Sequence, residues 1–254
     1  MPEIDFNSDL GEGFGLYRMG DDEAVLAQIT SANIACGFHA GDPRIMRRTV
    51  AAAVNSGVAV GAHPSFPDLQ GFGRRKMALS PDEAYECVLY QVGALNAFVA
   101  AQGTTLQHVK PHGALYNQAA ADPVLAKAIC EAVRDFNPSL YLYGLANSEL
   151  IKAAEAVGLA VRHEVFGDRT YQADGSLTPR GQANAMITDA DQAVAQVLCM
   201  LREGHVVAVD GTKVPVRPDT LCIHGDQPGA AAFARAIREA LIREGVTVRA
   251  PQFA

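Results

Sequence analysis

Lys110 and His112 stand two positions apart in Val109-Lys-Pro-His-Gly-Ala-Leu-Tyr-Asn117, where a short apolar run gives way to turn residues. On an extended strand these side chains point the same way, about 7 Å apart. A core makes poor use of them, because burying an unpaired ammonium costs several kcal/mol or strips its proton. A reaction site makes good use of them: the lysine can hold an anionic oxygen, and the histidine can move a proton near neutral pH. A solvated strand end explains one such pair equally well, so the recurrence of the pattern matters.

It does recur. Asn7 and Asp9 share a face at the end of the first apolar run, and Glu12 follows in the loop. His39 and Asp42 follow the second run, and His63 ends the third. Asp168 with Arg169, and finally His224 with Asp226, stand after later runs, while Asn117 closes the central stretch. Five of the seven histidines (His39, His63, His112, His163 and His224) lie at or just before a turn. One such histidine is ordinarily structural, whereas four that each follow an apolar strand predict a shared polar site.

Two chemistries suit that site. Two or three histidines with a carboxylate can hold Zn²⁺ or another divalent ion and leave a position for water. Asp9, His39 and His63 are then the expected ligands, brought together by the fold because no local His-x-x-x-His clip exists. Without a site metal, Asp9, His112 or Asp226 serves as general acid or base and Lys110 clamps a developing oxyanion. There is no Gly-x-Ser-x-Gly elbow and no Gly-x-x-x-x-Gly-Lys-Ser/Thr loop, which argues against a serine hydrolase and against a P-loop for any ATP used. Cys36 beside His39 raises a thiol nucleophile, but nothing nearby marks a thiolate-stabilising environment.

The elements that must position these residues alternate. Apolar strands are expected over 4–9, 31–36, 58–63, 109–112, 140–145, 159–166 and 221–224, with a hairpin from 206–209 and 214–216. Helices are expected over about 18–30, 42–57, 80–103, 122–136, 148–158, 188–204 and 230–245. Three of them open on clear signals: Asp42-Pro43, the Ser80-Pro81-Asp82-Glu83 capping box, and Asp122-Pro123. The long loop 64–79 carries Arg74 and Arg75, candidates for holding a carboxylate or phosphate. Strands alternating with helices make a parallel sheet with helices outside. One domain over 1–254, a distorted (β/α) barrel of about seven strands, is the expected architecture; a doubly wound open sheet is second, because no Gly-x-Gly-x-x-Gly opens a helix after a strand. In such folds the active site sits at the carboxyl ends of the strands, where the polar groups above are found.

Composition bounds the rest. The 254 residues are 49% hydrophobic and carry a net charge of −7 without a basic block, which argues against nucleic acid and anionic membrane surfaces as partners. No apolar run approaches the roughly 18 residues a membrane span needs. The start, Met-Pro-Glu-Ile-Asp, has no secretory-signal pattern, and five scattered cysteines without clip spacing suggest reduced thiols in a cytoplasmic protein.

The same motifs, Asn7-Ser-Asp-Leu-Gly-Glu12, Ala32-Asn-Ile-Ala-Cys-Gly-Phe-His-Ala-Gly-Asp42, Gly61-Ala-His-Pro-Ser65, Lys110-Pro-His-Gly-Ala-Leu-Tyr-Asn117 and Ile223-His-Gly-Asp226, resemble the LamB/YcsF family of lactam-utilisation proteins, which supplies the A subunit of 5-oxoprolinase. The resemblance runs from the first strand to the last helix. It implies a barrel similar to those of sugar-active hydrolases and polysaccharide deacetylases. It also implies ATP-dependent opening of the lactam 5-oxoproline to glutamate with partner subunits B and C, ATP being the co-substrate, with Mg²⁺ or a site metal as the divalent ion. Within that reading Asp9, His39, His63, Lys110, His112 and Asp226 carry the chemistry. Asn7, Glu12, Arg74, Asn117, Asp168, Arg169 and His224 bind substrate. Two rival readings use the same residues: a stand-alone metal-dependent amide or sugar deacetylase, and a non-catalytic subunit that delivers substrate to a partner.

Overall fold

The computed structural model describes residues 2–223 and 229–252. Its strands in chain order are β1 (Glu3–Leu10), β2 (Ser31–Ala35), β3 (Ala59–His63), β4 (His108–Val109), β5 (Tyr141–Leu145), β6 (Ala160–Phe166), β7 (His205–Val207), β8 (Lys213–Pro215), β9 (Thr220–Cys222) and β10 (Thr247–Val248). The helices are α1 (Asp22–Leu26), α2 (Pro43–Asn55), α3 (Pro81–Ala101), α4 (Gly113–Ala119), α5 (Pro123–Phe136), α6 (Glu149–Ala156), α7 (Ala190–Glu203) and α8 (Ala230–Arg243).

β1 to β6 pair in sequence, all parallel, and β9 pairs with both β6 and β1. A seven-strand barrel therefore closes, as expected. β10 extends it beside the start of β1, and β7 and β8 form the expected antiparallel pair outside it. The capping signals are realised: Asp42 Oδ1 accepts from the Arg44 and Ile45 amides, Ser80 and Glu83 form the reciprocal box, and Asp122 Oδ1 accepts from Val124 and Leu125.

Each strand turns one set of side chains outward to the helices. Ile34, Val60, Val109 and Leu142 enter one apolar cluster with α2, α3 and α5. Ile4, Phe6, Val165 and Leu221 enter a second with α7 and α8. The inward set is polar, which is unusual for a barrel interior normally filled with branched aliphatics. At the bottom Asp5 accepts from Thr30 (2.6 Å), Ser31 (2.7 Å) and Thr220 (2.7 Å). Burial raises the pKa of that carboxyl, and the hydroxyl donors oppose the rise. Above it Asn7 donates to Thr220 (2.7 Å) and Glu164 (3.0 Å), and Asn33 donates to Asn7 (2.7 Å) and Asp9 (2.8 Å). His108 Nε2 donates to Asn33 Oδ1 at 2.7 Å while its ring stacks on Tyr143 at 4.0 Å. Gly61 makes room for that ring, since a Cβ there would lie 2.0 Å from His108 Nε2.

Three expectations are corrected. The 18–30 helix shrinks to the five residues of α1. The central strand ends at Val109 instead of running through His112: Pro111 has no N–H for a ladder, and Gly113 at φ 56° starts α4 with His112 at its N-cap. The last barrel strand is Thr220–Cys222. His224 and Asp226 lie outside the described residues.

Candidate active site

Lys110 is the hub of the barrel's upper end. It follows β4 directly, is buried, and its Nζ lies 2.9 Å from Asp9 Oδ1 and 2.9 Å from Glu164 Oε1. Asn7 Oδ1 at 3.3 Å and Cys222 Sγ at 3.0 Å complete its surroundings. Burial favours the neutral amine, but the Asp9 and Glu164 carboxylates outweigh it and hold the pKa well above the ordinary lysine value. Glu164 also accepts from Tyr116 at 2.7 Å and from Asn7 at 3.0 Å, so its oxygens are met by donors.

Beside this hub stand three imidazoles and Glu12. His39 and His112 stack with centroids 3.8 Å apart, and His63 meets His112 edge-on at 4.8 Å. Glu12 Oε1 is 3.1 Å from His39 Nε2, 3.2 Å from His112 Nδ1 and 3.9 Å from His63 Nε2. His63 Nε2 is 3.3 Å from Asp9 Oδ2, which joins the cluster to the hub. Burial alone would raise the Glu12 pKa, but the His112 and His39 rings around it hold it far below the carboxylate range. Burial pushes His39 down to about 3 and also lowers His112, so both rings are neutral near pH 7. Glu12, His39, His63 and His112 are one of two groups among the described residues whose donor atoms converge closely enough for a metal. The other is Cys199, Glu203 and His205, outside the barrel.

Loop 64–79 folds over the cluster. Phe72 sets its ring edge-on to His39 and His112 and offers its carbonyl to His112 Nε2 at 2.8 Å. Gly73 is required there: at φ 62°, a Cβ would fall 2.1 Å from Ser65 Oγ and 2.9 Å from both His112 and His39. A cleft of about 930 Å³ opens from Asp9, Glu12, His63, Lys110 and His112 toward Arg74, Asn117 and Arg169. His39 does not line it and sits behind Glu12.

The sequence model of the LamB/YcsF family matches residues 4–253. The chain belongs to the LamB/YcsF family. It is 64% identical over 249 residues to the A subunit of 5-oxoprolinase from Bordetella pertussis, covering 98% of this chain and 99% of that one. It is 56% identical over 250 residues to the chain of the same name in Bacillus subtilis, covering 98% and 97%. The crystal structure of the lactam utilization protein from Thermus thermophilus superposes with a TM-score of 0.92 at 50% identity, covering 98% of this chain and 100% of that one. The catalytic domain of a peptidoglycan N-acetylglucosamine deacetylase from Eubacterium rectale matches at TM-score 0.50 and 11% identity, covering 99% and 89%, a likeness of fold alone. Among the described residues no helix is long and apolar enough to cross a membrane.

Within this LamB/YcsF barrel, Asn7, Asp9, Glu12, His39, His63, Lys110 and His112 come together. Arg74 lines the cleft, its guanidinium 4.9 Å over the Phe72 ring, and Asn117 is exposed on α4 with its amide donating to Gly113 O at 2.9 Å. Other expectations change. Arg169 is buried, lines the cleft and donates to the carbonyls of Thr178 (2.7 Å) and Ala185 (3.3 Å), which fastens the 170–187 segment. Asp168 is buried and is not part of the cleft lining. Lys110 lines the cleft, with its N–H groups near the acceptors of Asp9, Glu164 and Asn7. Asp9 Oδ1 is occupied by Lys110 and Asn33, and Glu12 and His112 stand where Asp9 was expected in the metal group. His163 lies inside β6, not at a turn, with its Nδ1 near the Asn147 amide.

Glu164, Asn33, His108 and Cys222 were missed. Glu164 and Phe166 share a face of β6, so period-two alternation was the available signal for Glu164. Asn33 in Ser-Ala-Asn-Ile-Ala carries the same signal.

Proposed function

We infer that this chain is the A subunit of a 5-oxoprolinase, opening the lactam of 5-oxoproline to glutamate at the cleft above Lys110. The reading rests on end-to-end identity of 64% and 56% with chains that carry that name. ATP is its co-substrate, subunits B and C are its partners, and the cytoplasm is its compartment, in keeping with five unpaired cysteines.

The chemistry suits the residues. A five-membered lactam is a resonance-stabilised amide and a poor electrophile. Phosphorylation of its oxygen by ATP weakens that resonance; water then adds to the ring carbon, the ring C–N bond breaks, and a second water releases phosphate from the resulting acyl phosphate. Asp9 lines the cleft and keeps Oδ2 on the side away from Lys110, the placement of a general base for water. Lys110 acts through Asp9, holding its carboxylate in place. Arg74 at the cleft wall suits the substrate carboxylate, since a guanidinium can meet it with two parallel bonds. Tyr116 and Asn7 hold Glu164, which anchors Lys110 from below.

The deciding experiment purifies this chain with and without subunits B and C and assays glutamate release from 5-oxoproline with and without ATP. Release that needs all three chains and ATP supports the reading. The Glu12–imidazole group favours one rival, a stand-alone metal-dependent amide hydrolase; chelator-sensitive hydrolysis by this chain alone, without ATP, would select it.

A further inference from the structure

The far sides of two rings fix what their near sides can do. His63 Nδ1 lies 2.7 Å from the Lys110 carbonyl, and a carbonyl only accepts, so Nδ1 carries the hydrogen and Nε2 a lone pair. His112 Nε2 lies 2.8 Å from the Phe72 carbonyl, so there Nδ1 is the bare nitrogen. Those bare nitrogens face each other at 2.9 Å. Glu12 Oε1 stands 3.2 Å from the first of them, on His112, and 3.9 Å from the second, on His63. Three acceptors turned on one another repel unless something positive lies among them. Atoms bound to one ion at about 2.1 Å sit about 3.0–3.4 Å apart, close to the spacing found. A carbonyl behind each imidazole is also the usual device for orienting a ligating histidine.

We propose that Glu12, His63 and His112 bind a divalent transition-metal cation at the inner end of the cleft, with His39 as a positioning residue that donates to Glu12. Asp9 Oδ2, 3.3 Å from His63 Nε2, stands beside the ion. Two nitrogens and a carboxylate suit zinc, cobalt, manganese or iron(II) better than calcium or magnesium, which prefer oxygen alone. Three carboxylates (Asp9, Glu12 and Glu164) stand against one ammonium, so added positive charge is accommodated. The proposal depends on ring contacts and not on the substrate reading, and its test can fail while the lactamase assay succeeds.

The full chain is stripped with chelator, desalted and titrated with cobalt(II) chloride, with folding followed by circular dichroism. Expected are one cobalt per chain by elemental analysis and visible ligand-field absorption. Both should be lost in His63→Gln and His112→Gln and weakened in Glu12→Gln, which preserves side-chain shape. Cys199→Ser, in the outer group, should leave them unchanged. A folded chain that takes up neither cobalt nor zinc overturns the proposal, as expected if the two rings share a proton instead. Uptake that survives all three cleft substitutions, or that disappears in Cys199→Ser, overturns it as well.

Discussion

The Lys110 ammonium lies 2.9 Å from Glu164 Oε1, and Glu164 is wholly excluded from solvent. With Asp9 on its other side, one cation joins two buried carboxylates from β1 and β6. Lys110→Met would leave both without their shared counter-charge, at a cost of about 3–5 kcal/mol. The double variant Lys110→Met/Glu164→Gln should lose less than the single one, because one stranded charge is gone. Urea unfolding of both decides it; a single variant within about 1 kcal/mol of the parent would contradict the hub.

Asp9→Asn keeps acceptors for Lys110 and Asn33 but removes the base. Glutamate release by the assembled enzyme is expected to fall about 10²–10⁴-fold with the melting temperature little changed. Retained turnover would move the base to one of the imidazoles.

Arg74 touches the cleft from the loop and not from the barrel. Arg74→Ala should therefore raise KM for 5-oxoproline by about ten-fold or more with a smaller change in kcat, the pattern of a lost binding contact. A fall in kcat at unchanged KM would place it in the chemistry instead.

Gly61→Ala drives a methyl into the His108 ring, 2.0 Å from Nε2. The ring must leave Asn33, which also holds Asp9. Soluble yield and activity should both collapse, and Gly61→Ala/His108→Ala should recover yield by removing the clash. If the single variant behaves like the parent, the interior is looser than these distances imply.

Asp22 accepts from the Gly11 amide at 3.1 Å, just before Glu12. Burial pushes its carboxyl up to about 6. The folded chain thus binds that proton more tightly than the unfolded one, and the resulting stability, full below the ordinary value of 3.8, is lost as pH rises from there through about 6. Asp22→Asn should raise the melting temperature by roughly 2–4 °C at pH 7.5, by about half as much at pH 5 and by little at pH 4. A variant destabilised at pH 7.5 would reverse the sign.

Much of this was legible because outward-facing residues are aliphatic and the helix starts are strong: Asp42-Pro43, Ser80-Pro81 and Asp122-Pro123 cap where expected. His39, His63, Lys110 and His112 were legible because each follows an apolar run. Glu164 was not, since Arg-His-Glu in β6 reads as a solvated strand until closure of the barrel decides which face is inside. His108 was hidden for a similar reason: its space depends on Gly61 of the neighbouring strand. The partners of Arg169 were not legible, because they are carbonyls and backbone positions leave no trace in side-chain pattern. The short helix α4 was masked by Gly113, where a φ of 56° and the approach of Gly73 O both call for a residue without Cβ.

The polar column from Asp5 to Lys110 has a consequence for how such a protein can diversify. Every interior group in it leans on the group above and the group below, so exchanging one stave residue leaves two neighbours wanting a partner. Tolerated novelty is thereby confined to the rim, where Arg74 and part of the 170–187 segment line the cleft, while the shaft beneath stays the same.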